Sequence, residues 1–180
     1  LEATVDAGGG LGFDGALRGR LVAKHKEGDS YQDHLEAEKD VFYGVLEADV
    51  SHSTLLRAGG SYQNNTPTGV TLGALPTWFT DRTFTDWSRS KSTAAEWTRW
   101  ETTNENYFVN LVQDFANGWQ LRANYNRLEN GQRTRLLYLT GNVDPVTGEG
   151  LTVYAPYRSR GESVLDSIDL QLRGSFLLAD

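Results

Sequence analysis

About seven stretches of this chain place an apolar residue at every second position, and that period constrains the fold more than any other feature. "ALRGRLVAKH" sets Leu17, Gly19, Leu21 and Ala23 against Arg18, Arg20, Val22 and Lys24. "VFYGVLEADV" sets Phe42, Gly44, Leu46, Ala48 and Val50 against Tyr43, Val45, Glu47 and Asp49. "TLLRAGGSYQ" gives Leu56, Ala58, Gly60 and Tyr62. "ENYFVNLVQDF" gives Tyr107, Val109 and Leu111, and "VQDFANGWQLRANYN" gives Phe115, Trp119, Leu121, Ala123 and Tyr125. "SVLDSIDLQLRG" and the opening "LEATVDA" continue the pattern through Val164, Ile168, Leu170, Leu172 and through Leu1, Ala3, Val5, Ala7. Side chains on a strand point alternately to its two faces, so each stretch reads as a strand with one apolar and one polar face. Only "TAAEWTRWET" suggests a short helical turn.

The connections sharpen this reading. "GFDG", "SHS" and "ANG" join successive strand pairs as tight turns, with Gly, Asp, Asn and Ser where positive φ or side-chain capping is needed. The intervening connections are long: about 15 residues from Lys26, about 40 from Asn64 and about 30 from Leu128, well beyond the usual ~4–6. Short and long alternate, so an up-and-down sheet gathers all turns at one edge and all loops at the other. Outer-membrane barrels have this asymmetry. A soluble β-sandwich or barrel acting as a binding module, for carbohydrate or another ligand, also fits the alternation, because a solvated outer face is equally polar.

Composition narrows the function. Hydrophobic residues are 38% and mean hydropathy is −0.50, low for a domain that fills its own core. The net charge of −7 argues against nucleic acid, whose phosphates need excess Lys and Arg. There is no cysteine, so no disulfide or thiolate metal site. No run reaches the ~18–20 apolar residues of a spanning helix, which does not touch strand spanning. The absence of Met and of a basic, apolar leader at "LEATVDAG" suggests an internal piece of a longer protein. Phe115 and Trp119 beside the Asn117-Gly118 turn, with Tyr125 and Tyr62 at the opposite ends of their stripes, match aromatic girdles at two membrane interfaces.

The segment from "SYQNNTPTGVTLGALPTWF" through "AEWTRWETTNENYFVNLVQDFANGWQLRANYN" resembles TonB-dependent siderophore receptors of the ferripyoverdine and ferric-hydroxamate type. The upstream "LRGRLVAKHKEGDSYQDHLEAEKDVFYGVLEADV" is similar to the preceding hairpin of those receptors, and "LLYLTGN" and "SVLDSIDLQLRGSF" to the following strands. One departure falls at Asn64, Asn65 and Thr66, where the family reads close to Tyr-Gln-Asp-Asn-Asp-Pro. The resemblance implies an all-β arc of about seven antiparallel strands within a 22-stranded transmembrane barrel. Its short turns are periplasmic and its long loops extracellular. Residues 1–180 form a partial barrel without the plug. The implied place is the outer membrane of a Gram-negative bacterium, with lipid, a ferric siderophore and, through the plug, the TonB complex as partners.

No catalytic constellation stands out, and "GNVDPVTGEG" reads as a plain turn around Asp144-Pro145. His25 and His34 could share a loop with Glu36, Glu38 and Asp40, as a cation cluster or a solvated acidic loop. The aromatic-rich connection is the functional candidate. Trp78, Trp87, Trp97 and Trp100 lie in it, interleaved with Arg82, Arg89, Lys91 and Arg99. Flat aromatic surfaces with a few cations suit a bulky, partly aromatic chelate. The resemblance makes Trp97 and Trp100 the first choices, followed by Trp78, Trp87 and Arg99; the same rings could instead pack the loop on the barrel rim. Iron would be held by the siderophore's oxygens, with no protein ligand and no resident cofactor. Arg18, Arg20, Arg57 and Arg122 would face a plug or water-filled gaps.

Overall fold

The computed structural model describes residues 1–176; residues 177–180 of the expected 1–180 domain lie outside that part. Seven antiparallel strands follow one another in a single meander of order β1-β2-β3-β4-β5-β6-β7. They are β1 (Glu2–Gly12), β2 (Leu17–Asp29), β3 (Glu36–Ser51), β4 (Thr54–Asn65), β5 (Arg99–Asp114), β6 (Gln120–Thr140) and β7 (Thr152–Arg173). The only helical element among the described residues is the 3-10 turn Phe13–Gly15 between β1 and β2. The helical turn suggested in "TAAEWTRWET" is a single hydrogen-bonded turn, Thr98 N–H to Ala95 O at 2.9 Å, before β5 begins.

Cross-strand register assembles the alternate apolar residues into one face. Leu21 pairs with Gly44, and Phe42 lies between Ala23 and Tyr62. Leu17, Ala48, Leu56, Leu111, Ala123 and Leu170 form one continuous row across six strands. This face stays open: Leu21 is 70% exposed, Leu46 53% and Ile168 74%. No second sheet or helix covers it among the described residues. A soluble sandwich would need these stripes to converge on a shared core, and here they diverge over a single sheet.

The three tight turns fall at one edge, as expected, but two of the long connections are shorter than the sequence suggests. The first is only residues 30–35 and the third residues 141–151. The strands run on instead: Glu27 still pairs with Glu38, and Arg133 with Arg160. Once both faces of a strand meet water, hydropathy stops alternating while the backbone ladder continues, so sequence periodicity ends before the strand does. The second connection, residues 66–98, is long as expected and folded. Its Thr68 bridges Glu36 and Arg99, and Leu72 pairs with Tyr138 on the edge of β6 above the end of β5. The buried apolar side chains are at this end of the chain's fold: Leu136, Leu137 and Val143. The connection also clips to its neighbours, with Asp33 N–H donating to Ser90 O at 2.8 Å and Thr80 N–H to Val143 O at 3.0 Å.

The limits of the apolar band step along the sheet. On β4 the first polar residue of the open face is Asn64, in a row with Thr103, Gly131 and Glu162. On β5 polarity begins at Glu105, on β6 at Arg127 and on β7 at Asp166. The boundary on β7 therefore lies about four residues, or about 13 Å, nearer the turns than the Asn64 row. The turn edge moves the same way. Leu17 at the turn end of β2 shares its row with Ala123, whereas the β6 stripe continues to Trp119. Three strand spacings are about 14 Å. A flat slab cut by strands tilted about 40° produces this drift, and 35–45° is the tilt of outer-membrane barrels.

Candidate functional site

The polar face opposite the lipid-type band is the lumen side, and most of its arginines are paired within the wall. Arg18 donates through Nε to Glu47 at 2.6 Å and through Nη1 to Asp49 at 2.6 Å. Arg57 Nε donates to the other oxygen of Glu47 at 2.6 Å. Arg20 donates to Asp6 at 2.8 Å and Lys24 to Glu2 at 2.5 Å. Arg122 Nε donates to Gln120 Oε1 at 2.7 Å. Of the four lumen arginines read from sequence, three are thus held by wall carboxylates and one by an amide. Toward β7 the ladder becomes amide-rich: Asn110 donates to Asn124, and Asn124 to Asp169, each at 3.0 Å.

At the loop end of the same face stands Trp100. It opposes Thr134, whose hydroxyl lies 2.7 Å from that of Ser159 on β7. Even-numbered side chains of β5 face the lumen, so Trp100 points inward and Arg99, its neighbour in sequence, points outward. Trp100 is 39% and Trp97 48% exposed. Between them Thr98 is fully buried, its hydroxyl donating to Ala95 O at 2.8 Å. This buried threonine fixes the turn that presents both rings. The other two tryptophans of the connection have partners. Trp78 stacks on Phe84 at 3.9 Å across a small hairpin turned at Asp81 and Arg82. Trp87 donates its indole N–H to Pro76 O at 2.8 Å and lies 6.2 Å from Phe79. Within the hairpin, Asp81 accepts from the hydroxyl and the amide of Thr83, which hold its carboxyl below the usual range. The structure thus separates the sequence candidates. Trp100 is accessible on the lumen face at the loop end of β5 and Trp97 is exposed just before that strand, Trp78 (45% exposed) and Trp87 brace the loop, and Arg99 is on the other face.

The histidines do not share a loop. His25 is on β2 with its Nδ1 2.7 Å from Asp40 on β3, and Glu38 is near both. His34 is apart from them, 4.0 Å from Glu96. The "GNVDPVTGEG" turn forms as read: Asp144 Oδ1 accepts from the amides of Val146 and Thr147 at 2.8 and 2.9 Å. What sequence reasoning missed is a row of arginines on the outward face, Arg99 opposite Arg135 and Arg135 opposite Arg158. Strand parity extended past the apolar stripe would have found it.

A single-layer sheet with an open apolar face, a charged lumen face, turns at one edge and folded loops at the other defines the wall of an outer-membrane β-barrel. No protein-family model matches the chain. Among curated proteins it is 34% identical over 176 residues to the ferripyoverdine receptor of Pseudomonas aeruginosa, covering 97% of this chain and 21% of that protein. It is 30% identical to the ferric-pyoverdine BN7/BN8 receptor of Pseudomonas putida, over 96% of this chain and 21% of the relative. The crystal structure of the P. aeruginosa ferripyoverdine receptor bound to ferripyoverdine superimposes with a TM-score of 0.88 at 31% identity, covering 98% of this chain and 23% of that one. The ferric preacinetobactin receptor of Acinetobacter baumannii shares the fold, with a TM-score of 0.73 at 16% identity. Over nearly all of its length the chain is similar to one segment of ferric-siderophore receptors of the outer membrane. It spans about a fifth of the length of the curated relatives it matches, and these are ferric-pyoverdine receptors.

Proposed function

We propose that the complete protein binds a ferric siderophore at the cell surface and imports it with energy supplied through TonB, this chain forming barrel wall and extracellular loops. The supporting observation is the end-to-end match to ferripyoverdine receptors, 97% of this chain in sequence and 98% in structure. The two open edges of the sheet, β1 and β7, carry unpaired backbone groups that lipid cannot satisfy, so further strands complete the wall. A plug within that barrel would carry the TonB contact. In this reading Trp97 and Trp100 contribute stacking surface at the lumen mouth, with Trp78 and Trp87 holding the loop and Arg99 outside the pocket. The siderophore's oxygens hold the iron, and the protein supplies no metal ligand. Transport makes and breaks no covalent bond, so the protein is not an enzyme.

Titration of the full-length receptor with a panel of ferric siderophores that includes pyoverdines, followed by tryptophan fluorescence, tests this. Saturable quenching is expected with at least one ferric pyoverdine, weakened about tenfold by Trp97→Ala plus Trp100→Ala, in keeping with ~1.4 kcal/mol per decade. Absence of saturable binding across the panel counts against the function. Unchanged binding in the double variant counts against the two rings.

A further inference from the structure

Above the apolar band the outward face of β5–β7 becomes strongly cationic. Arg99, Arg135 and Arg158 occupy one cross-strand row, and Arg133 and Arg160 are neighbours in the next, beyond Glu101. Register is unbroken from the apolar stripe up to these rows, so all five arginines share the face of Leu121, Tyr125 and Ile168. Like charges directly opposite one another on a sheet are destabilising. The carboxylates nearby offset little of this. Arg160 pairs with Glu162 at 2.7 Å, and Glu101 is also present, but Arg99, Arg133, Arg135 and Arg158 have no carboxylate within ion-pair distance among the described residues. The five side chains line a shallow groove of about 410 Å³. On the lumen face of the same wall Arg18, Arg20 and Arg57 are paired with carboxylates and Arg122 is held by the amide of Gln120. An arrangement left repulsive within the chain is complementary to an external polyanion.

Height selects the anion. Arg133 and Arg135 lie about eight to ten residues beyond Tyr125, about 26–33 Å along the strand and about 20–25 Å above the apolar band at a tilt of about 40°. Headgroups extend only about 5–8 Å beyond the hydrocarbon on each side. The groove therefore stands in the sugar layer above the outer leaflet. Planar guanidinium forks, with no lysine among them, match phosphate oxygens two at a time. A ligand on this side of the wall has no access to the lumen, which separates the groove from the siderophore path.

We propose that this arginine groove binds the phosphorylated core sugars of the surrounding lipopolysaccharide. The proposal rests on the outer-membrane location and not on siderophore transport. The test uses the full-length receptor in neutral detergent with three probes: rough lipopolysaccharide carrying a phosphorylated core, deep-rough lipopolysaccharide lacking that core, and phosphatidylglycerol vesicles. Wild type is expected to bind the first at least tenfold tighter than the other two, with affinity falling as salt rises. Arg135→Gln plus Arg158→Gln is expected to remove about tenfold of that affinity, while Arg135→Lys plus Arg158→Lys keeps most of it. Arg158→Gln alone, which breaks no hydrogen bond, gives a smaller loss in the same direction and guards against misfolding. Ferric-siderophore titration of each variant is expected to be unchanged. The proposal is overturned by equal binding of wild type and the Gln variants, by equal binding of core-bearing and deep-rough forms, or by loss of siderophore binding in parallel. Arginine-dependent capture of a soluble acidic protein with no effect on lipopolysaccharide overturns it in favour of a protein partner.

Discussion

Glu47 shows how individual residues meet two different solvents. Its carboxylate takes one guanidinium on each oxygen, from Arg18 and Arg57, and is only 18% exposed. One residue along, Leu46 is half exposed on the opposite face, where lipid is the solvent. Alternation of this kind is what a strand between water and hydrocarbon requires. Single residues also fix the loops. Gly118 adopts φ +80 in the β5–β6 turn, a conformation that side-chain-bearing residues rarely take. Asp144 caps its turn by accepting from Thr147 and Val146, and these amides hold its carboxyl below the usual aspartate range. A lowered folded-state value means the turn gains stability while Asp144 is ionised, above the unfolded value near 4, and loses it as pH falls through the lower folded value. Hydrogen-exchange protection of the Val146 and Thr147 amides, corrected for intrinsic rates, should be flat above about pH 5 and drop below about pH 4. Protection rising on acidification would contradict the cap.

At the scale of elements, the wall's stability depends on which face a side chain takes. The apolar stripe of β3 runs from Phe42 to Val50, about nine residues, close to the length that a tilted strand needs to cross hydrocarbon. Leu46→Arg, in the middle of that stripe, should destabilise the folded full-length receptor in lipid by about 2–4 kcal/mol. Val22→Arg on the lumen face, in a row with Asp6 and Tyr43, should cost far less. Urea unfolding of the two variants in short-chain lipid bilayers makes the comparison; equal costs would mean the faces have been assigned wrongly. Residues 66–98 are an element of another kind. They hold no long strand, yet they close the exposed edge of β6 through Leu72, brace themselves with the Trp78–Phe84 stack and tie to both neighbouring loops. Aromatic side chains lose little conformational entropy when stacked, which suits them to ordering a loop of this length.

At the scale of the whole molecule, the drift of the apolar band is the most informative property, since no single strand contains it. Oriented bilayers of the full-length receptor should give an infrared dichroism consistent with a mean strand tilt of about 40°; strands lying near the membrane normal or showing no orientation would exclude the barrel geometry derived above. The sequence by itself determined the strands, their two faces and the up-and-down order, because period-2 hydropathy and turn chemistry are local and survive without neighbours. It also marked the tryptophan-rich connection, whose rings stand out by composition alone. It misplaced the ends of β2, β3, β6 and β7 and the start of β5, where water on both faces erased the alternation. Only the tertiary structure decided that Trp78 stacks on Phe84 and Trp87 donates to Pro76, while no aromatic stack or indole hydrogen bond engages Trp97 or Trp100 among the described residues, because the irregular path of the loop, which no periodicity encodes, sets which residues meet. The same is true of Arg99, which composition grouped with the tryptophans and register moved to the outer face beside Arg135 and Arg158. Register joins residues that are far apart in sequence, and a one-residue difference along a strand puts a side chain on the other side of the membrane wall.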